Sequence, residues 1–250
     1  MLRISSFLIF LLLQPILFLL DSEEIVPISN DQICTNADHK SWDRLLNSFV
    51  DENGNVNYIG FKKESGTLNL YLNQLGSVTV NENWSREKKL TYYINLYNAA
   101  TVKLILDNYP LTSITDIKKP WDKKWIKHGG VFISLGEIEH KILRKMNEPR
   151  IHFALNCASF SCPKLLNEAY TENKLNQQLD MAAKEFINDP SRNIISENKV
   201  KLSKIFKWYK KDFENNGSLI SYLNQYLKSS ISPDTNIEYI KYNWSLNEIE

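Results

Sequence analysis

A chain of 250 residues, 43% of them hydrophobic and 12% aromatic, can bury a sizeable single core, which excludes wholesale disorder. Thirty basic residues against 29 acidic ones leave a formal charge of +1, so no global field gathers nucleic acid or anionic lipid.

The chain opens with a short basic start, Met1-Leu2-Arg3, and an apolar stretch from Ile4 to Leu20 broken only by Ser5, Ser6, Gln14 and Pro15. That pattern predicts an export signal over residues 1–21 and a protein that works in a periplasm, a lumen or the exterior. The junction Phe18-Leu19-Leu20-Asp21-Ser22 lacks the small-x-small pattern of a cleavage site, so an uncleaved membrane anchor is the competing reading. Membrane contact is expected only through this segment. A variable stretch, 22–37, leads into a globular domain over 38–230, followed by a C-terminal extension, 231–250.

Apolar residues at helical spacing predict a helix over Trp42 to Val50, then a turn at Asp51-Glu52-Asn53-Gly54. Val56, Tyr58 and Phe61 suit a short strand, and Leu68 to Leu75 a second helix ended by Gly76. From Ser85, a plausible N-cap, to Tyr109 lies the longest helical candidate, and Pro110 stops it. It is apolar on every side, so it should be a central helix wrapped by other elements. Asn95 and Asn98 share one of its faces and, if buried, must find hydrogen-bond partners, as structural glue or as orienters of a catalytic group.

His128-Gly129-Gly130 turns the chain into a strand over Val131 to Ile133, and Ser134-x-x-Glu137 reads as a capping box for a helix from Glu137 to Met146. Arg150 to Asn156 alternates as a buried strand, delivering Cys157 to the turn Ala158-Ser159-Phe160-Ser161-Cys162-Pro163. Thr171 is expected to cap a helix to about Ile187, Lys199 to Leu202 to form a short strand, and Ser203 to Phe213 and Leu219 to Leu227 to be the last helices. The fold class is α+β: a helix-rich single domain with a small, largely buried sheet.

Three runs, Tyr93-Ile94-Asn95-Leu96-Tyr97-Asn98-Ala99, Ser134 to Arg144 with Ile138-Glu139-His140-Lys141-Ile142-Leu143, and Pro149 to Pro163, together resemble domain-of-unknown-function family 547. Trp42 with its Leu pair, Asp51 to Gly60, and Ile205-Phe206-Lys207-Trp208-Tyr209 extend the resemblance over most of the chain after the signal. It implies a domain found in exported bacterial proteins and in eukaryotic multidomain proteins, and carries no established substrate.

A thiol enzyme needs a thiolate, a base and a group that fixes the base. Cys157 is the candidate nucleophile and His140 the candidate base, with Asn98 or Glu139 as third group. Backbone N–H groups after Cys157, helped by Asn156, would hold an oxyanion. A papain- or transglutaminase-like hydrolysis or acyl transfer follows, on a peptide, glycan or small-molecule substrate; His before Cys demands a rearranged topology. The alternative is a non-catalytic module that binds a peptide, a glycan or an envelope partner through its Trp and Tyr residues. His140, His152, Cys157 and Cys162 are zinc-ligand types, but strand alternation sets His152 and Cys157 on opposite faces, so neither a metal nor a cofactor is expected. Three cysteines, Cys34, Cys157 and Cys162, leave at least one unpaired within a monomer.

Overall fold

Trp42, Leu45 and Leu46 form the buried face of α1 (Lys40–Phe49) in the computed structural model, which describes residues 37–196 and 199–249. The export or anchor segment, the lead up to residue 36 and Cys34 lie outside the described residues. Among those residues, no helix is long and apolar enough to cross a membrane.

Where a strand is expected around Val56 to Phe61, the chain makes only a bridge at Val56 and then α2 (Tyr58–Lys63), whose N-cap Asn57 accepts a hydrogen bond from the Gly60 N–H. That cap is local and needs no partner strand, which is why the helix wins over apolar alternation. Gly54, at φ +80°, makes the preceding turn against the Lys164 backbone, where a Cβ would come within 2.8 Å of its Cα. α3 (Ser65–Ser77) follows, and then α4 (Arg86–Asn108), capped by Ser85 Oγ on the Lys88 N–H at 3.0 Å. Helix α4 is buried on all sides from Leu90 to Val102, as its apolar perimeter predicts. At about 1.5–3 kcal/mol for each large apolar side chain taken from water, it is the principal hydrophobic anchor of the first core.

The hairpin of β1 (Ile126–His128) and β2 (Val131–Ile133) turns at Gly129 and Gly130, both at positive φ. The capping box of Ser134 and Glu137 starts α5 (Leu135–Glu137) as expected. The helix then widens into a π turn, Ile138–Ile142, and tightens into a 3₁₀ turn, Leu143–Met146. Its fully buried residues are Leu135, Ile138 and Leu143, and the last two lie five apart, which is the π spacing; an ordinary helix would have aligned Ile138 with Ile142.

The buried strand expected over Arg150 to Asn156 does not form. Pro149–Phe153 is a 3₁₀ turn with Pro149 in its first position and Glu148 capping the Arg150 N–H, and residues 154–156 run on without a strand partner. Instead of a ladder, the side chain of Asn98 on α4 donates to the Ala154 carbonyl and accepts from the Asn156 N–H, both at 2.9 Å.

A 3₁₀ turn, Glu172–Lys174, precedes α6 (Leu175–Asn188), so the helix starts later than the Thr171 cap predicts. The β3 (Ile194–Ser196), β4 (Lys199–Leu202) and β5 (Ile237–Tyr239) strands make a small sheet in that order, antiparallel then parallel. Its inward residues, Val200 and Leu202, join the second core with α7 (Lys204–Trp208), α8 (Lys210–Phe213) and α9 (Leu219–Asn224). The expected helix from Ser203 to Phe213 is thus two short ones. Both sheets leave many strand positions open to solvent, so the sheet component is small and peripheral rather than buried. The class is a helix-rich α+β domain. Residues 243–248 return to the first core: Val56 bridges to Glu248, and the Phe160 and Ser161 N–H groups donate to the Ser245 and Asn243 carbonyls.

Candidate active site

Where the two cores meet, a cavity of about 290 Å³ opens. Tyr97 and Leu155 from the first core and Ile205 and Tyr242 from the second line it, together with Cys157. The Cys157 loop is built by side-chain amides. Asn156 donates through Nδ2 to the Pro163 carbonyl and accepts the Ala158 N–H, both at 2.8 Å. Ala158, fully buried, takes the left-handed conformation at φ +56°, which a non-glycine residue holds only where its surroundings fix it. This elbow turns the half-buried Cys157 thiol toward the cavity.

Cys157 Sγ lies 3.1 Å from Ser159 Oγ and 3.3 Å from the Tyr242 hydroxyl, and Ser159 in turn donates to Tyr242. The Cys157 N–H donates to Cys162 Sγ at 2.8 Å. Hydrogen bonding with the Cys162 thiol, aided by Ser159 and Tyr242, lowers the Cys157 pKa against the opposing effect of burial. Burial pushes Cys162 well up, so of the two thiols Cys157 is the readier to form a thiolate. The two are free thiols, not bonded to each other.

Glu139 and His140 both line the cavity from the π turn, a widened geometry that recurs at functional sites. The His140 side chain is 50% exposed, and its Nδ1 sits 3.8 Å from Glu139 and 3.4 Å from Arg144. Among the described residues, neither histidine of the cavity wall hydrogen-bonds the Cys157 sulfur. A second imidazole, His152, lines the cavity because the 3₁₀ turn replaces the alternating strand that would have separated it from Cys157. It stacks on Tyr209 with centroids 3.9 Å apart and bonds Asp212 through Nε2 at 2.8 Å. Burial lowers its pKa, outweighing the pull of Asp212. Burial raises the Asp212 carboxyl, but bonds from Arg144 and His152 more than compensate and hold it well below the usual range. The consistent state is a neutral His152 whose Nε2–H donates to a carboxylate neutralised by Arg144, at 2.6 and 2.9 Å.

Of the sequence-selected residues, Cys157, His140 and Glu139 meet at the cavity. Asn98 and Asn156 do not: their amides are consumed by backbone groups of the loop, so they place Cys157 rather than fix a base or bind an oxyanion. The Ala158 N–H is likewise spent on Asn156, which leaves the Tyr242 hydroxyl as a donor beside the sulfur. Sequence reasoning missed Asp212, Ser159 and Tyr242. Asp212 carried a signal, since it continues the helical spacing of Ile205 and Tyr209 as a charged residue. Tyr242, 85 residues from Cys157, carried none. No three His, Cys, Asp or Glu side chains among the described residues converge tightly enough to hold a metal ion.

Fold and site together define a helix-rich α+β domain organised around a loop cysteine at an aromatic cavity. Residues 81–187 match the family model described as "Protein of unknown function, DUF547", and the chain carries that domain. No curated protein and no solved structure matches it. The matched span holds Asn98, Glu139, His140, His152 and both thiols, whereas Trp208, Tyr209, Asp212, Tyr242 and Trp244 lie beyond it.

Proposed function

We propose that this exported domain is a cysteine-dependent hydrolase or acyltransferase acting through Cys157 and His140. The observation that carries the reading is the Cys157 thiol, turned into the cavity by a left-handed elbow and held by partners that lower its pKa. Cys157 Sγ attacks an acyl carbon, forming a C–S bond as the thiol proton passes to the imidazole of His140. That proton goes on to the amine or alcohol that leaves, and water or a second nucleophile opens the thioester and restores the thiol. Tyr242 donates to the oxyanion. Export rests on the apolar N-terminal stretch.

The test is alkylation with iodoacetamide at mildly acidic pH, followed by peptide mapping, where an ordinary cysteine of pKa about 8.5 reacts slowly. Rapid labelling of Cys157 and not Cys162, slowed by His140→Ala, is the expected result. An inert Cys157 would sink the thiol mechanism; slowing by His152→Asn alone would move the base to His152.

A binding-module reading draws support from the wall of indoles: Trp244 lies 5.9 Å from Trp208 and 5.8 Å from Trp121, centroid to centroid. Such faces suit a glycan or a peptide. Partner capture that survives Cys157→Ser, with no turnover by the wild type, would favour it.

A further inference from the structure

We propose that the cavity receives the cationic end of its acyl substrate, an ammonium or guanidinium group, against Glu139 and the aromatic walls. This rests on the thiol reading of Cys157 and adds the substrate class.

Two carboxylates are buried among the described residues, Glu139 at 6% exposure and Glu148 at 7%. Their surroundings differ. Glu148 is met by two guanidinium groups, Arg150 at 2.6 Å and Arg86 at 3.4 Å. Among the described residues, Glu139 has no lysine or arginine nitrogen within ion-pair distance; the Tyr97 hydroxyl donates to it at a long 3.4 Å, the Tyr209 hydroxyl is a second neutral partner, and the His140 nitrogen at 3.8 Å pairs with it only when the imidazole is protonated. Arg144, on the same segment, is committed to Asp212. A buried carboxylate without a permanent countercharge is costly unless something else supplies one.

Glu139 lines the cavity, and what supplies the charge can therefore enter from outside. Among the described residues, no lysine or arginine lines the cavity. Tyr97, Trp121, Trp208, Tyr242 and Trp244 surround the space, and aromatic ring faces attract a cation; the Tyr209 ring is already taken by His152 and Arg144. A carboxylate ringed by aromatic faces selects a positive group and rejects an anionic one of equal size. With Cys157 on the same cavity of about 290 Å³, the cation and the acyl carbon belong to one small substrate or one residue of a larger one, such as a lysine-like or diamine-linked acyl group.

The test uses three methanethiosulfonates that differ in charge: a trimethylammonium-ethyl, a sulfonato-ethyl and a neutral methyl reagent. Rates at Cys157 in the full chain near pH 7 are divided by those of a free small thiol. The expected result is a cationic-to-anionic ratio raised on the order of tenfold by a carboxylate on the same cavity wall, and a return toward unity in Glu139→Gln. A ratio near or below unity, or one unchanged by Glu139→Gln, overturns the proposal while leaving the thiol reading in place. A Cys157 inert to all three reagents defeats both. In the wild-type protein, cadaverine should slow neutral labelling of Cys157 where 1,5-pentanediol does not, a comparison that stands even if the variant fails to fold. Equal effects of the two compounds would also refute the cation site.

Discussion

Asn98→Ala tests the substitution of a side chain for a sheet ladder. In the wild type the Asn98 amide, 2% exposed, closes two bonds of 2.9 Å, to the Ala154 carbonyl and from the Asn156 N–H. Alanine leaves both backbone groups buried and unpaired, at about 1–3 kcal/mol each, so a loss of about 3 kcal/mol is a conservative sum. In a domain of this size that lowers the melting temperature by about 6–12 °C. The assay is urea and thermal unfolding, with alkylation of Cys157 followed in parallel under native conditions. Because Asn156 is held by Asn98 and itself holds Ala158, the loop should loosen before the domain unfolds, and labelling of Cys157 at mildly acidic pH should slow relative to the wild type. Asn98→Asp keeps the acceptor for the Asn156 N–H but loses the donor to Ala154, and should cost less stability than alanine only where the carboxyl is protonated. A change below about 1 kcal/mol in Asn98→Ala, with Cys157 kinetics unaltered, would refute the view that this amide builds the loop.

Tyr242→Phe removes the hydroxyl 3.3 Å from Cys157 Sγ while keeping the ring that packs 4.5 Å from Trp244. The pH–rate profile of alkylation should move to higher pH, slowing labelling about three- to tenfold at mildly acidic pH; an unmoved profile would remove Tyr242 from the thiol's partners. Phe206→Ala empties a fully buried site against Phe153, Phe186 and Phe213 and should destabilise by about 3–5 kcal/mol in urea titrations. A cost under about 1 kcal/mol would show the second core to be loosely packed. Burial lowers the His39 pKa from 6.5 to about 4, outweighing the pull of Asp38. The unfolded chain therefore takes up this proton first, so the contribution is complete above pH 6.5 and declines as pH falls toward about 4. Urea midpoints should drop across that window, and His39→Gln should flatten the slope; an identical slope in the variant would assign the effect elsewhere.

Local chemistry was read correctly from the chain. Ser85 caps α4, Ser134 and Glu137 form their box, and Gly129-Gly130 turns the first hairpin, because each depends on residues within a few positions of one another. The all-round apolar perimeter of α4 likewise required a central position, since no exposed helix tolerates it. The same local signals brought Cys157, Glu139 and His140 forward as chemistry-bearing residues.

Tertiary structure decided the rest. Arg150 to Asn156 alternates like a strand, yet a partner amide on α4, more than fifty residues away, takes the backbone groups a ladder would have used. That exchange brings His152 onto the same cavity as Cys157 and commits Asn98 and Asn156 to the loop. Tyr242 reaches the thiol from near the end of the chain, and among the described residues Glu139 meets no arginine or lysine while Glu148 meets two arginines, facts that depend on which distant segments meet. Periodicity and caps are properties of neighbouring residues and travel with the sequence. The state of a thiol, and whether a buried charge is matched, is set by contacts between segments far apart along the chain, and these exist only once it is folded.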